Sequence, residues 1–244
     1  MINELEIAKH AAAGAVKLLR TKFINNAGII NSEGKDIKTK ADLAVHDYLL
    51  ENLDKTGIKV FSEELEDLSF DINERQWIID PIDGTLNFTR GFEMSAVSIS
   101  LWDAGLPLLG VVHHIMLDQV FYSSLDNGAW MGDKRISVSN VLDKNNAVIA
   151  TGFPTGSNYS NKGLNGFINK IQNYKKVRML GSASLMLSYV ACGYFDIYKE
   201  DNIYIWDVAA GLSLVKEAGG IYSSMPTKSD VKFNIEATNS LITD

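Results

Sequence analysis

The chain has 244 residues, 46% of them hydrophobic and 22% charged, and a net charge of −7. That length is ample to bury a core, and the composition is that of an ordinary globular protein. The acidic balance disfavours an electrostatic embrace of nucleic acid, so no nucleic-acid partner is expected.

The single cysteine, Cys192, excludes an intramolecular disulfide and fits a reducing compartment. It sits in an apolar helical stretch and reads as a small core residue. Residues 1–10 mix Glu4, Glu6 and Lys9 among apolar positions, which is not a signal peptide. No apolar run approaches the roughly 18 residues of a membrane span. A cytoplasmic protein with no membrane partner is the expectation.

In chain order, Leu5, Ala8, Ala12, Val16, Leu19 and Phe23 recur at helical spacing and predict an amphipathic first helix. Residues 28–40 are polar and contain glycine, and read as a loop. A second helix is predicted over 41–53, followed by strands at 58–61, 76–79, 97–102, 110–116 and 120–123. His113 and His114 fall in one of these strands, where alternation lets only one face inward. Such a run of strands suggests an antiparallel-rich sheet flanked by helices. The polar stretch 140–146 marks a junction, dividing the chain into an α+β half (1–140) and an α/β half (141–244). The second half reads as strand 147–151, helix 161–172, strand 176–180, helix 183–192, strand 195–198 and helix 206–218. Gly219-Gly220 stops that last helix.

The run Trp77-Ile78-Ile79-Asp80-Pro81-Ile82-Asp83-Gly84-Thr85 carries the most chemistry. Its apolar start predicts a buried strand, which Pro81 should end because it has no N–H to give a ladder. Asp80 then stands at a carboxyl end of a strand, where α/β sheets place ligands. Two carboxylates on one turn suit Mg²⁺, which takes oxygen ligands and keeps waters and phosphate oxygens in its shell. A D-x-D-G-T phosphatase pattern with an aspartyl nucleophile has one residue between the acids, whereas here Pro81 and Ile82 intervene. The spacing therefore argues against a covalent aspartyl mechanism.

Upstream stand Glu63 and Glu64; downstream Trp206-Asp207-Val208-Ala209-Ala210-Gly211 is followed by Glu217-Ala218-Gly219-Gly220. This order of acidic pair, D-P-I-D-G-T and W-D-V-A-A-G…E-A-G-G resembles the inositol monophosphatase family, over essentially the whole chain. The resemblance implies an α/β fold of α+β type, a layered α/β/α/β/α sandwich. It implies metal ligands at Glu63, Asp80, the Ile82 carbonyl, Asp83 and Asp207, holding two or three Mg²⁺ ions, and sensitivity to lithium. Glu63, Thr85 and Asp42 are implied as catalytic, relaying a proton from a metal-activated water that attacks a phosphomonoester. Gly84 and Thr85 would hold phosphate oxygens; Gly181, Ser182, Ala183 and Glu200 would contact the alcohol. Small polyol or sugar phosphates such as inositol monophosphate are the expected substrates. A 3′(2′),5′-bisphosphate nucleotidase is the enzymatic alternative, with Lys175, Lys176, Arg178 and Lys199 near the alcohol region. A regulatory or binding protein that keeps the fold is the alternative of another class. Family members often form homodimers, so a homodimer is a further expectation.

Overall fold

The computed structural model describes residues 2–33, 36–65, 69–153 and 157–242. Helix α1 (Ile2–Leu18) opens the chain, and a hairpin of β1 (Ile29–Glu33) and β2 (Asp36–Thr39) leads into α2 (Lys40–Leu53). Strands β3 (Lys59–Ser62) and β4 (Gln76–Asp83) follow, then the short α3 (Thr85–Thr89). Five more strands complete the first half: β5 (Ala96–Asp103), β6 (Leu106–His114), β7 (Gln119–Ser124), β8 (Gly128–Met131) and β9 (Lys134–Ile136). Beyond them come β10 (Val148–Ala150), α4 (Asn161–Ile171), β11 (Lys176–Arg178) and α5 (Ala183–Ala191). The chain ends with β12 (Ile197–Tyr204), α6 (Ile205–Glu217), β13 (Ile221–Pro226) and β14 (Lys232–Thr238).

Strands β3 to β9 form one seven-stranded sheet in sequence order, with only β3 and β4 parallel. A five-stranded sheet has the order β11-β10-β12-β14-β13. Helices α1 and α2 pack on one face of the large sheet, and α5 and α6 fill the space between the two sheets. With α4 outside the smaller sheet, over Ile149 and Lys199, the layers read α/β/α/β/α. Among the described residues no helix is long and apolar enough to cross a membrane.

Two apolar clusters hold the layers. One joins α1 and α2 to Trp77, Ile79, Val97, Ile99, Leu109 and Val111. The other joins the opposite face of the same sheet, through Ile78, Trp102, Val112 and Phe121, to α5 and α6. Because both faces of the sheet are covered, adjacent residues of its strands are both buried. This corrects the expectation for His113 and His114: both are buried, on opposite faces. His113 Nε2 lies 3.0 Å from Asp118 Oδ1 and neither histidine reaches the acidic motifs.

Three further expectations are corrected. Residues 29–39 are a hairpin and not a loop, with Glu33 opposite Asp36; Gly34 and Lys35 lie outside the described residues. A two-stranded ribbon needs backbone pairing and no apolar face, so polarity gave no sign of it. Strand β4 does not stop at Pro81 but runs on to Asp83. Its partner β3 pairs only as far as Ile79, so no ladder on that side asks Pro81 for an N–H, and pairing with β5 shifts register between Asp80 and Asp83. Strand β12 begins at Ile197 and extends to Tyr204, well beyond the expected 195–198, and strands β8, β9, β13 and β14 were not anticipated.

Helix α6 lies directly on the large sheet at Gly110, where an added Cβ would stand 2.4 Å from the Ala210 carbonyl oxygen. Gly110→Val must push α6 off the sheet, and overpacking of this kind costs roughly 1–3 kcal/mol. A urea midpoint lowered accordingly is expected, with turnover falling because α6 carries Asp207. An unchanged midpoint would contradict the close approach.

Candidate active site

The sequence motifs converge on one cavity of about 300 Å³. Its wall includes Glu63, Asp80, Ile82, Asp83, Gly84, Thr85, Gly181, Ser182, Ala183, Glu200 and Asp207, so all but one of the candidate residues meet there. Asp42 stands just behind, its Oδ1 accepting a 3.1 Å hydrogen bond from the Thr85 hydroxyl.

Each side chain arrives from the end of an element. Asp80 and Asp83 come from the irregular end of β4, Glu63 from the turn after β3, and Asp207 from the first turn of α6. Oxygens of Asp80, Asp83 and Asp207 all lie within 4.8 Å of one another. Glu63 lines the same cavity outside that close trio. Burial pushes the Asp80 carboxyl well above its ordinary value, and the charges of Glu63, Asp83 and Asp207 push it further. Asp207 is raised in the same way, by burial first and then by Asp83 and Glu63. No ion pair with Lys or Arg joins these three carboxylates among the described residues.

Asp83 differs from its neighbours. Burial raises its pKa too, but the start of α5 counteracts this. Ser182 Oγ donates to Asp83 Oδ2 at 2.6 Å, Ser184 N at 2.7 Å and Ser184 Oγ at 2.5 Å. Ala183 N adds a 3.3 Å bond to Oδ1. The carboxylate thus sits on the free N–H groups of a helix start, where the helix dipole also favours negative charge. Ser182 is at the same time the N-cap of α5, accepting from Leu185 N.

Behind the cavity, Asp42 closes a capping box with Thr39 at the start of α2. Thr39 N and Thr39 Oγ1 donate to Asp42 Oδ2 at 2.9 and 2.5 Å. Burial nevertheless raises the Asp42 carboxyl to about 6. Glu200, buried on β12, is raised to about 8, chiefly by burial and then by the charge of Asp83.

Residues in and around the motifs hold this arrangement in place. His46, one turn after Asp42 on α2, shares a 2.9 Å hydrogen bond with Ser62 Oγ, the residue before Glu63. Burial keeps this imidazole below its ordinary value and therefore neutral. Asn87 Nδ2 donates to the carbonyls of Met94 at 2.7 Å and Leu180 at 2.8 Å, tying α3 to the segment that precedes α5. Gly84 has φ +87° and lies against the Met94 and Gly181 carbonyls, where a Cβ would come within 2.8 and 3.0 Å. Ile37 of β2 completes one wall, so the hairpin read as a loop contributes to the cavity. Glu64, beside Glu63, points instead to an ion pair with Lys38. Of these, Gly84 and Glu64 belong to the sequence motifs, whereas His46, Asn87 and Ile37 had no signal beyond their neighbourhood to one.

A profile of the inositol monophosphatase family matches residues 3–243. The chain belongs to the inositol monophosphatase family. It is 33% identical to an inositol-1-monophosphatase of Mesorhizobium japonicum, over 94% of this chain and 88% of that protein. Identity to a fructose-1,6-bisphosphatase/inositol-1-monophosphatase of Thermotoga maritima is 34%, over 86% of this chain and 80% of that one. The crystal structure of the extragenic suppressor protein suhB from Bartonella henselae superposes with a TM-score of 0.85 at 31% identity, covering 97% of this chain and 93% of that one. The layered fold is that of the family, and the chain is a phosphatase, a hydrolase of phosphoric esters, in a family that generally depends on metal ions.

The buried acids make stability depend on pH in a defined direction. Asp42 rises from an ordinary 3.8 to about 6 in the folded chain, and Asp80, Asp83 and Asp207 shift upward as well. Between the two values the folded chain binds more protons than the unfolded one, so stability is fully present below the unfolded value and is lost as pH rises through the folded one. Cation-free protein, kept so with a chelator, should therefore unfold at lower urea as pH climbs from about 4 through about 6, with Asp42 contributing about 3 kcal/mol at most. Asp42→Asn should flatten part of that slope. A stability that rises over the same interval would overturn the electrostatic account.

Proposed function

We propose that the chain hydrolyses phosphomonoesters of small polyols and sugars, inositol monophosphate among them, with Mg²⁺ as the working cation. The observation that carries this reading is the trio Asp80, Asp83 and Asp207, whose oxygens lie within 4.8 Å of one another. The first two are buried and the third half-buried, with no ion pair to a cationic side chain among the described residues. Such a group fits hard divalent cations, since the donors are all oxygen and the uncompensated charge needs a counter-ion. Glu63, Asp80, the Ile82 carbonyl, Asp83 and Asp207 would hold two or three ions. Those ions would supply an acidified water and positive charge for the phosphate and the departing alkoxide.

The chain's own residues would do the rest. Thr85 Oγ1, bonded to Asp42 Oδ1 at 3.1 Å and to the Ile82 carbonyl at 2.9 Å, is placed to take a proton from the attacking water while passing its own to Asp42. An Asp42 carboxyl at about 6 is suited to that exchange near neutral pH. Glu63 flanks the same position and would orient the water. The N–H groups of Gly84 and Thr85, at the start of α3, would receive phosphate oxygens. Gly181, Ser182, Ala183 and Glu200 would face the alcohol, Glu200 accepting hydrogen bonds from its hydroxyls.

The site would lie between halves 1–140 and 141–244, in a chain that works in the cytoplasm and assembles as a homodimer. A bisphosphate nucleotidase would need free cations around a second phosphate. Lys199 is paired with Glu236, and Lys176 and Arg178 line neither this cavity nor the one beside it, which favours the polyol reading. A purely regulatory protein has no use for an intact set of buried acids.

Phosphate release from a panel of inositol, fructose, glycerol and nucleotide phosphates, with and without Mg²⁺, tests the proposal. Mg²⁺-dependent turnover of the polyol esters is expected, with inhibition by millimolar lithium against a sodium control. Turnover that persists in chelator would sink the metal reading.

Asp80→Asn and Asp83→Asn should separate two roles. Both should abolish turnover and shrink the rise in melting temperature on adding Mg²⁺. In chelator, Asp80→Asn should raise stability, because it removes a repelled charge and retains an oxygen to accept the 2.9 Å bond from Ile82 N. Asp83→Asn should lower it, since both oxygens accept, Oδ2 from Ser182 and Ser184 and Oδ1 from Ala183 N, and an amide must turn its N–H groups toward one of these sets of donors. Near-normal activity in either variant would show the cation site to be misplaced.

A further inference from the structure

A second chamber opens beside the acidic cavity and shares Gly152, Phe153 and Glu200 with it. At about 590 Å³ it is roughly twice the size of the first, which at about 300 Å³ already has room for a phosphorylated polyol. Its outer wall is α4, whose positions 162, 163, 166, 167, 170 and 171 form a single inward stripe. Two contacts hold α4 across it: the Phe167 ring packs on Phe153 with centroids 4.2 Å apart, and Lys170 pairs with Asp201. Ile149 and Ile171 add apolar surface to the lining. Most of the charge here is already matched, because Lys199 pairs with Glu236 as Lys170 does with Asp201. Lys162 alone has no ion-pair partner among the described residues. A second phosphate would find one free cation, whereas a flat apolar ring would find an aromatic wall and ample room.

The geometry points to a chamber for the ring of the substrate's alcohol: phosphomonoesters whose alcohol carries an aromatic ring a few bonds from the ester oxygen are preferred over unadorned ones. The ester sits at the carboxylates, the chain passes Glu200 at the Gly152 opening, and the ring lies against Phe153 and Phe167. This inference rests on the phosphatase reading above. Gly166 supplies the means of closing the chamber, since a Cβ built there meets nothing within 4 Å and the position lies on the inward stripe. Replacing glycine within a helix also favours the helix.

The test compares propyl phosphate with 3-phenylpropyl phosphate, which differ only by the ring, in the presence of Mg²⁺. In the unchanged protein the ring should raise kcat/KM by about tenfold or more. In Gly166→Trp that ratio should fall to near one. A ratio near one in the unchanged protein overturns the inference, as does a ratio that survives Gly166→Trp. The first comparison needs no variant, so a substitution that fails to fold leaves the test intact. If neither ester is turned over, calorimetry of both ligands with Mg²⁺ decides. Tighter binding of the phenyl ester keeps the chamber and overturns the phosphatase reading, while equal binding overturns the chamber.

Discussion

Repulsion among the carboxylates of Asp80, Asp83, Asp207 and Glu63 is the constraint that the rest of the structure must contain. Two unit charges about 4–5 Å apart at an effective dielectric near 20 repel by about 3–4 kcal/mol. An exposed ion pair, such as Lys59 with Glu74, contributes at most about 1 kcal/mol. No single surface contact offsets the cluster, so its geometry is held by the core. Asp80 and Asp83 extend from a strand buried along its whole length. Asp207 extends from a helix packed on both sheets. The acids have few ways to swing apart, and what they lack is positive charge.

The scaffold relieves part of that tension with hydrogen bonds. Asp83 has the N–H groups at the start of α5, and Asp42 has Thr39 and Thr85. Asp80 and Asp207 have no comparable set of donors; Asp80 faces chiefly the charge of Glu63, and Asp207 that of Asp83. On the proposed reading, a divalent ion among these acids would offset the remaining repulsion and so would serve the stability of the protein as well as its chemistry. The neutral His46 acts on the same geometry from behind: its bond to Ser62 fixes the turn that carries Glu63 without adding a charge.

The acidic residues were legible in the sequence because each lies in a short contiguous motif, where spacing along the chain limits spacing in space. The long helices were legible from their periodicity. What escaped notice depends on partners distant in sequence. Strands β8 and β9 have four and three residues, too few for a period to show. The edge strand β13 is largely exposed and carries no apolar signature beyond Ile221 and Met225. His113 and His114 were misjudged because alternation assumes one wet face, and here helices cover both. The chamber behind α4 depends on the seating of Phe167 on Phe153 and of Lys170 on Asp201, partners that no local pattern joins.

The end of β4 shows how a spacing that strand geometry forbids becomes the one the site uses. Side chains three apart on a regular strand point to opposite faces, so Asp80 and Asp83 converge only if the strand is irregular between them. The register shift against β5 supplies that irregularity. Pro81 fits within it because it has no N–H to lose. A bulge leaves backbone groups without ladder partners, and buried groups of this kind are costly. Here site residues take them. Ile82 N donates to Asp80 Oδ1 at 2.9 Å, and the Ile82 carbonyl accepts from Thr85 Oγ1 at 2.9 Å. A D-x-D spacing would align two carboxylates without any bulge, but would free no carbonyl to face the cavity and no N–H to orient Asp80. The extra residue therefore links the backbone defect, the two acids and the threonine in one unit, so that none of them can shift without disturbing the others.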